Sequence, residues 1–458
     1  MRALLAAAAC CASISAVLGA QRRTVQQPAT DVFDGTTAVE LTLTAPLREL
    51  FTKSEHDQKY FVTGSVAYRD AAAVDTTIDN VDVEVRGHTS QKECSFPKLK
   101  IDFHKGARIP APFTGLSGFK IGTHCGENPA GAKTSKFGRL GNETSPLREA
   151  LAYRLLETAG VPTLRTRPAR ITYIDSSEGA RRSAPLVRDA ILIEDEGTVR
   201  QRLGEPQVSL EAFGNVQSRD AASDALRIAF GEAMIGNFDW CLRFFPGDLY
   251  RCDDSKPLWN IDAFSRSSGG TALIANDFDL AGIVVGRHSW FEKVYNPGFV
   301  PSRSPMEIEV LSQVQRTRSL FDRATLDAER RRLIDRRQAV FAAIDEAKID
   351  AQGRDLARAF VSTFYGDIGD DRAFYRPVVV KLNVQVYADP SRAREACGPR
   401  DVIPVGTPVN EVQHSGSMTQ VVVLDALWRW APPRQCTAVR TGPVWISSDA
   451  ISADYPRR

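Results

Sequence analysis

The chain has 458 residues, 43% of them hydrophobic and 25% charged, enough apolar sequence for one large domain and a smaller one. Its 58 basic and 56 acidic residues leave a net charge of +2 with no long block of like charge, which argues against nucleic acid as a partner. No run after the first twenty residues is long and apolar enough to cross a membrane, which argues against a transmembrane anchor.

Arg2, the apolar stretch from Ala3 to Leu18 and the small pair Gly19-Ala20 predict a secretory signal over residues 1–20, with the mature chain starting near Gln21 and released to the cell envelope, secreted or periplasmic. Two of the eight cysteines fall in that signal. An even remaining set in an exported chain predicts disulfides, paired by closeness in sequence as Cys94 with Cys125, Cys241 with Cys252, and Cys397 with Cys436.

Alternating Val81, Val83 and Val85 predict a strand running into Arg86. A second strand alternates Leu99, Ile101 and Phe103 against Lys98, Lys100 and Asp102, so the two lysines share one face. A third covers 119–121 and leads into a Gly- and Pro-containing loop over 126–141, long enough for a binding loop or lid. Ser145-Pro146 opens a helix with stripe Leu147, Leu151 and Leu155, closed by Gly160. Strands follow over 169–174 and 189–194, the second ending in Glu194. A further helix runs from about Asp220 to Gly236 and delivers Asp239, a carboxylate placed against the helix dipole. Helices are expected over 326–344 and 356–364. From about Tyr375 the pattern turns to short β segments, 378–387, 407–412, 419–427 and 438–447, which predict a small barrel.

Asp277 and Asp279 stand one residue apart inside the apolar run 273–285. Carboxylates taken out of water need a cation, so the pair predicts a bound divalent metal, Mg2+ or Mn2+, and phosphate chemistry.

Several segments in order resemble the CotH-like atypical kinases: Val83 to His88, Phe96-Pro97-Lys98-Leu99-Lys100-Ile101-Asp102-Phe103, Phe119 to Cys125, Leu147 to Arg154, Leu192 to Asp195, Met234 to Trp240, and Asp277-Phe278-Asp279-Leu280-Ala281-Gly282. The C-terminal segments Leu382 to Tyr387, Val405 to Val409 and Gly442 to Ile446 resemble bacterial SH3-like domains. The resemblance implies an α+β, atypical protein-kinase-like fold over 21–372, followed by an SH3-like β-barrel over 373–458. It implies an enzyme that binds ATP and divalent metal and passes the γ-phosphoryl group to a protein hydroxyl. Asp277 matches the metal-binding aspartate, with Asp279 in support, and Asp239 the aspartate that orients the acceptor hydroxyl. Lys100 matches the phosphate-holding base, with Arg86 and Lys120 on neighbouring strands and Glu194 either orienting Lys100 or approaching the nucleotide. Asp254 stands where relatives carry an asparagine metal ligand, a change that keeps an oxygen donor and adds charge.

That departure keeps open a second reading, a pseudokinase-like envelope protein that binds a partner through the same cleft, with the barrel contacting cell wall or protein. A third is a metal-dependent phosphoesterase using Asp239, Asp277 and Asp279.

Overall fold

The computed structural model describes residues 31–453 except 70–74, 180–183, 204–207, 247, 249–251, 253–255, 267–268, 287–303, 382–383, 397–402, 404–406, 408 and 424–441. The expected signal segment therefore lies outside the described residues.

Seven strands close into a barrel in the order β1 (Val39–Ala45), β2 (Phe61–Arg69), β3 (Asp75–Val85), β4 (Leu99–Asp102), β5 (Gly118–Gly122), β7 (Leu186–Glu194) and β6 (Thr166–Asp175). Closure is made by β1 running parallel to β6, while the other neighbours are antiparallel. Alternation decides which side chains fill it: Leu41 and Leu43, Val81 and Val83, and Leu99 and Ile101 all point into one buried core. Lys98 and Lys100 consequently face out of the barrel.

A second core is mainly helical. Helix Ser145–Ala159 is buried on most of its surface and stops at Gly160, whose φ of 71° is left-handed. Helix Ala222–Ile235 ends in the same way at Gly236. Beside them lie helices Pro305–Arg318, Arg323–Glu346 and Ala351–Gly369, and the hairpin of β10 (Ile261–Ser265) and β11 (Thr271–Ala275). Short strands β8 (Cys241–Leu242) and β9 (Leu258–Trp259) pair with one another. Phe360 is the wedge that sets the distance between the two loops leading to the expected site residues. A Cβ added at Gly236 or at Gly282 would sit 2.3 Å from its ring, and the Gly282 N–H donates to the Gly236 carbonyl at 2.9 Å.

The expected helices over 326–344 and 356–364 lie inside Arg323–Glu346 and Ala351–Gly369. The expected opening at Ser145 moves by one residue, to Thr144 as cap. Cys94–Cys125 and Cys241–Cys252 are disulfide-bonded; Cys397 and Cys436 lie outside the described residues. No helix among the described residues is long and apolar enough to cross a membrane.

Past the short helix Asp371–Phe374 the chain builds a third core around Val379, Val409, Val421 and Ile446. Among the described residues its strands form a three-stranded sheet (Val409–Ser415, Met418–Val423, Val444–Ser447) and a pair (Val378–Val379, Ile451–Ser452), while parts of the expected β segments 378–387, 407–412, 419–427 and 438–447 lie outside the described residues. The fully buried Arg318 ties this part down by donating to the carbonyls of Arg376 and Ala453. Gln315 adds a bond to the Phe374 carbonyl at 2.8 Å.

Gly236→Ala forces a left-handed alanine against Phe360 and is expected to cost roughly 2–4 kcal/mol in denaturant unfolding. Gly366→Ala, on the same helix as Phe360 with nothing within 4 Å of the added Cβ, is expected to be neutral or to stabilise by up to about 1 kcal/mol.

Candidate functional site

The outward-facing Lys98, just before β4, ends between two carboxylates of the helical part. Its Nζ lies 2.6 Å from Asp277 Oδ1 and 2.9 Å from Asp279 Oδ2, and its side chain is only 7% exposed. The aspartates follow β11 in a turn held from below. Phe278 between them is buried and meets the Tyr153 ring edge-on at 4.6 Å, while the Tyr153 hydroxyl accepts the Asp277 N–H at 3.0 Å. Asp277 has a φ of 61°, a left-handed conformation that aspartate takes up more readily than most non-glycine residues.

The loop over 126–141 supplies a second cation. Arg139 pairs with Asp279 and donates to Thr89 Oγ1 at 2.6 Å. Glu93 steadies that loop by accepting from Thr134 Oγ1 at 2.7 Å and from the Phe137 N–H at 3.0 Å, and it is followed directly by the disulfide at Cys94.

The half-buried Arg86 and the buried Glu149 lie in the electrostatic field of Lys98 and Asp277. Arg86 Nε and Glu149 Oε1 are buried without a hydrogen-bond partner among the described residues. Burial pushes the Asp277 carboxyl up, but the charges of Lys98, Arg139 and Arg86 outweigh it and hold that carboxyl well below the usual carboxylate range. Burial lifts the Glu149 carboxyl, with Asp277 adding to the rise and Lys98 opposing it. One acid is thus held ionised while its neighbour is pushed toward its protonated form.

Asp239 belongs to the same electrostatic field. Burial and then the charge of Asp277 raise its carboxyl, against Arg139 and against hydrogen bonds from Trp259 and Asn260. Trp259 Nε1 donates to Oδ1 and Asn260 Nδ2 to Oδ2, each at 3.2 Å, and the Asp239 N–H donates to Asn237 Oδ1 at 3.0 Å.

Not every expected residue reaches this cluster. Lys100 pairs with Glu84 at 3.2 Å and Asp102 at 2.8 Å, away from Asp277 and Asp279. The reason is strand geometry: two residues advance a strand by about 6.6 Å, so Lys98 at the strand's beginning meets the helical part and Lys100 does not. Glu194 does not orient Lys100, because its carboxylate is held by Arg165 at 3.0 Å. Lys120 pairs with Glu196 and lies in the field of Asp262, to which Asn276 Nδ2 donates at 3.0 Å. Arg86 does join, and Asp279 is a full member held by both Lys98 and Arg139. Asp254 lies outside the described residues.

Sequence reasoning placed Lys98 behind Lys100 and missed Arg139 and Glu149. The available signal for Lys98 was the face it shares with Lys100, while Glu149 is one of four charged residues in its helix and nothing local set it apart. Nothing local marked Arg139.

Among the described residues no group of three or more His, Cys, Asp or Glu side chains gathers as a metal cage. Asp277 and Asp279 nonetheless provide hard oxygen donors, and Asp279 Oδ1 is buried without a hydrogen-bond partner among the described residues. Two carboxylates of this kind fit a magnesium-type ion that shares its remaining positions with water and substrate phosphate. No protein-family model matches the chain, and no curated protein matches it.

Burial first, then Glu196, against Lys120, pushes the Asp262 carboxyl up to about 6 from an ordinary 3.8. A raised acid favours the folded state while protonated, so its contribution is lost as pH rises through that window. Asp262→Asn is therefore expected to gain roughly 1–3 kcal/mol over the natural protein at neutral pH and nothing below about pH 4, read by thermal unfolding across pH.

Proposed function

We propose that the charge cluster where the closed barrel meets the helical part binds ATP with a divalent metal and passes the γ-phosphoryl group to a protein hydroxyl, as an exported CotH-like atypical kinase. The observation that carries this reading is Lys98 buried between Asp277 and Asp279, with Asp239 in the same field. Phosphoryl transfer needs a cation for phosphate, carboxylates for metal and one carboxylate for the attacking hydroxyl, and this cluster offers all three.

Lys98 and Arg86 are the cations for phosphate. Asp277 and Asp279 would hold the metal, which when bound supplies charge neutralisation of the phosphates. The Asp239 carboxylate receives the proton of the acceptor hydroxyl, and its two hydrogen bonds fix the direction in which it points. Two disulfides support export. The third core carries the proposed SH3-like role of contacting a cell-envelope partner.

A second reading, a pseudokinase-like binder without transfer, draws on the engagement of both aspartates by Lys98 and Arg139. Labelled ATP with magnesium or manganese, incubated with purified protein and candidate acceptors, separates the two. Transfer of label is expected, with Lys98→Met lowering it by about a hundredfold or more, Asp239→Asn by a similar factor, and Lys100→Met by no more than a few-fold. Metal-dependent nucleotide binding without any label on protein would favour the binder instead.

A further inference from the structure

On the reading that Asp239 orients an acceptor hydroxyl, we propose that Trp259 is the acceptor platform, and that it selects hydroxyl-bearing peptide segments with an aromatic or other apolar side chain beside the hydroxyl. Trp259 sits on β9, whose pairing places it opposite Cys241, and the disulfide of Cys241 to Cys252 holds that region in place. It is 41% exposed, one of five large hydrophobic side chains left open among the described residues. Of the five it alone hydrogen-bonds a carboxylate of the cluster, through Nε1 to Asp239 Oδ1 at 3.2 Å.

Lys256 Nζ lies 4.7 Å from the Trp259 ring centroid and covers part of it. What remains is carbon surface next to the proposed catalytic carboxylate.

The polar atoms around it decide between acceptor classes. The indole N–H is committed to Asp239, and Asn260 Nδ2 is committed to the same residue, to its carbonyl at 2.5 Å and its carboxylate at 3.2 Å. A sugar stacked on this ring would need several donors and acceptors for its ring hydroxyls, whereas the indole N–H and Asn260 Nδ2 already serve Asp239 and Lys256 Nζ alone is added over the ring. An apolar side chain flanking the reactive hydroxyl needs none, and stacking on the indole both binds the segment and sets the distance of its hydroxyl from Asp239. Trp259 therefore has two separable parts, an N–H that positions Asp239 and a face that binds acceptor.

Steady-state kinetics with magnesium and ATP would test this on the full chain. The acceptors are serine, threonine and tyrosine peptides made with either glycine or phenylalanine beside the hydroxyl residue, together with glucose and N-acetylglucosamine. The natural protein is expected to favour the phenylalanine-flanked peptides. Trp259→Phe keeps a ring and loses the N–H, so kcat should fall while peptide KM holds. Trp259→Ala should also raise KM for those peptides by about two- to tenfold and erase the preference. ATP affinity, measured separately by calorimetry, should stay within about twofold in both variants, which excludes general unfolding. Preference for the sugars, or a peptide preference that survives Trp259→Ala, overturns the platform while leaving phosphoryl transfer standing. Failure of the natural protein to bind ATP with magnesium removes the transfer reading and the platform with it.

Discussion

The Lys98 ammonium between Asp277 and Asp279 is the contact on which the rest of the site depends. A lysine facing outward from a barrel strand is ordinarily solvated, but this one is covered by the helical part of the chain. Removing one partner of such a pair leaves an uncompensated buried charge, at a cost of about 3–5 kcal/mol. The contact therefore also seals the barrel to the turn after β11. Its supports are two packing features, Phe278 against Tyr153 below the aspartates and Phe360 between Gly236 and Gly282, and the hydrogen bonds through which Glu93 braces the Arg139 loop.

Within this small volume the environment drives acids in opposite directions. Asp277 is held ionised by three neighbouring cations, while burial and the charge of Asp277 itself raise Glu149 and Asp239. Carboxylates separated in this way are suited to different tasks, one to stay charged and one to take up and release a proton. Stability alone does not call for the buried Asp279 and Glu149 oxygens that have no hydrogen-bond partner among the described residues, and such atoms concentrate where a ligand completes the set.

Much of the architecture was legible in alternation and caps. Val81 to Val85 and Leu99 to Ile101 read as strands because one face is buried, and the left-handed glycines at 160 and 236 stop their helices where the residue types said they would. Closure of the barrel was not legible, since it depends on β1 meeting β6 more than a hundred residues later. The site was legible in its carboxylates and blurred in its cations. Asp277 and Asp279 declare themselves by sitting in apolar sequence, whereas Lys98 and Lys100 are equivalent by alternation. Only the position of β4 relative to the helical part separates them. Arg139 comes from a loop whose course is set by Glu93 and a disulfide, and no local pattern carries that information.

The most direct measurement of the central claim is a crystal structure of the protein with magnesium and a non-hydrolysable ATP analogue. The account predicts phosphate oxygens at Lys98 and Arg86, the metal on Asp277 and Asp279, and the Lys98 bridge to those aspartates opened. A nucleotide bound elsewhere, or a Lys98 bridge left intact beside it, would contradict the account.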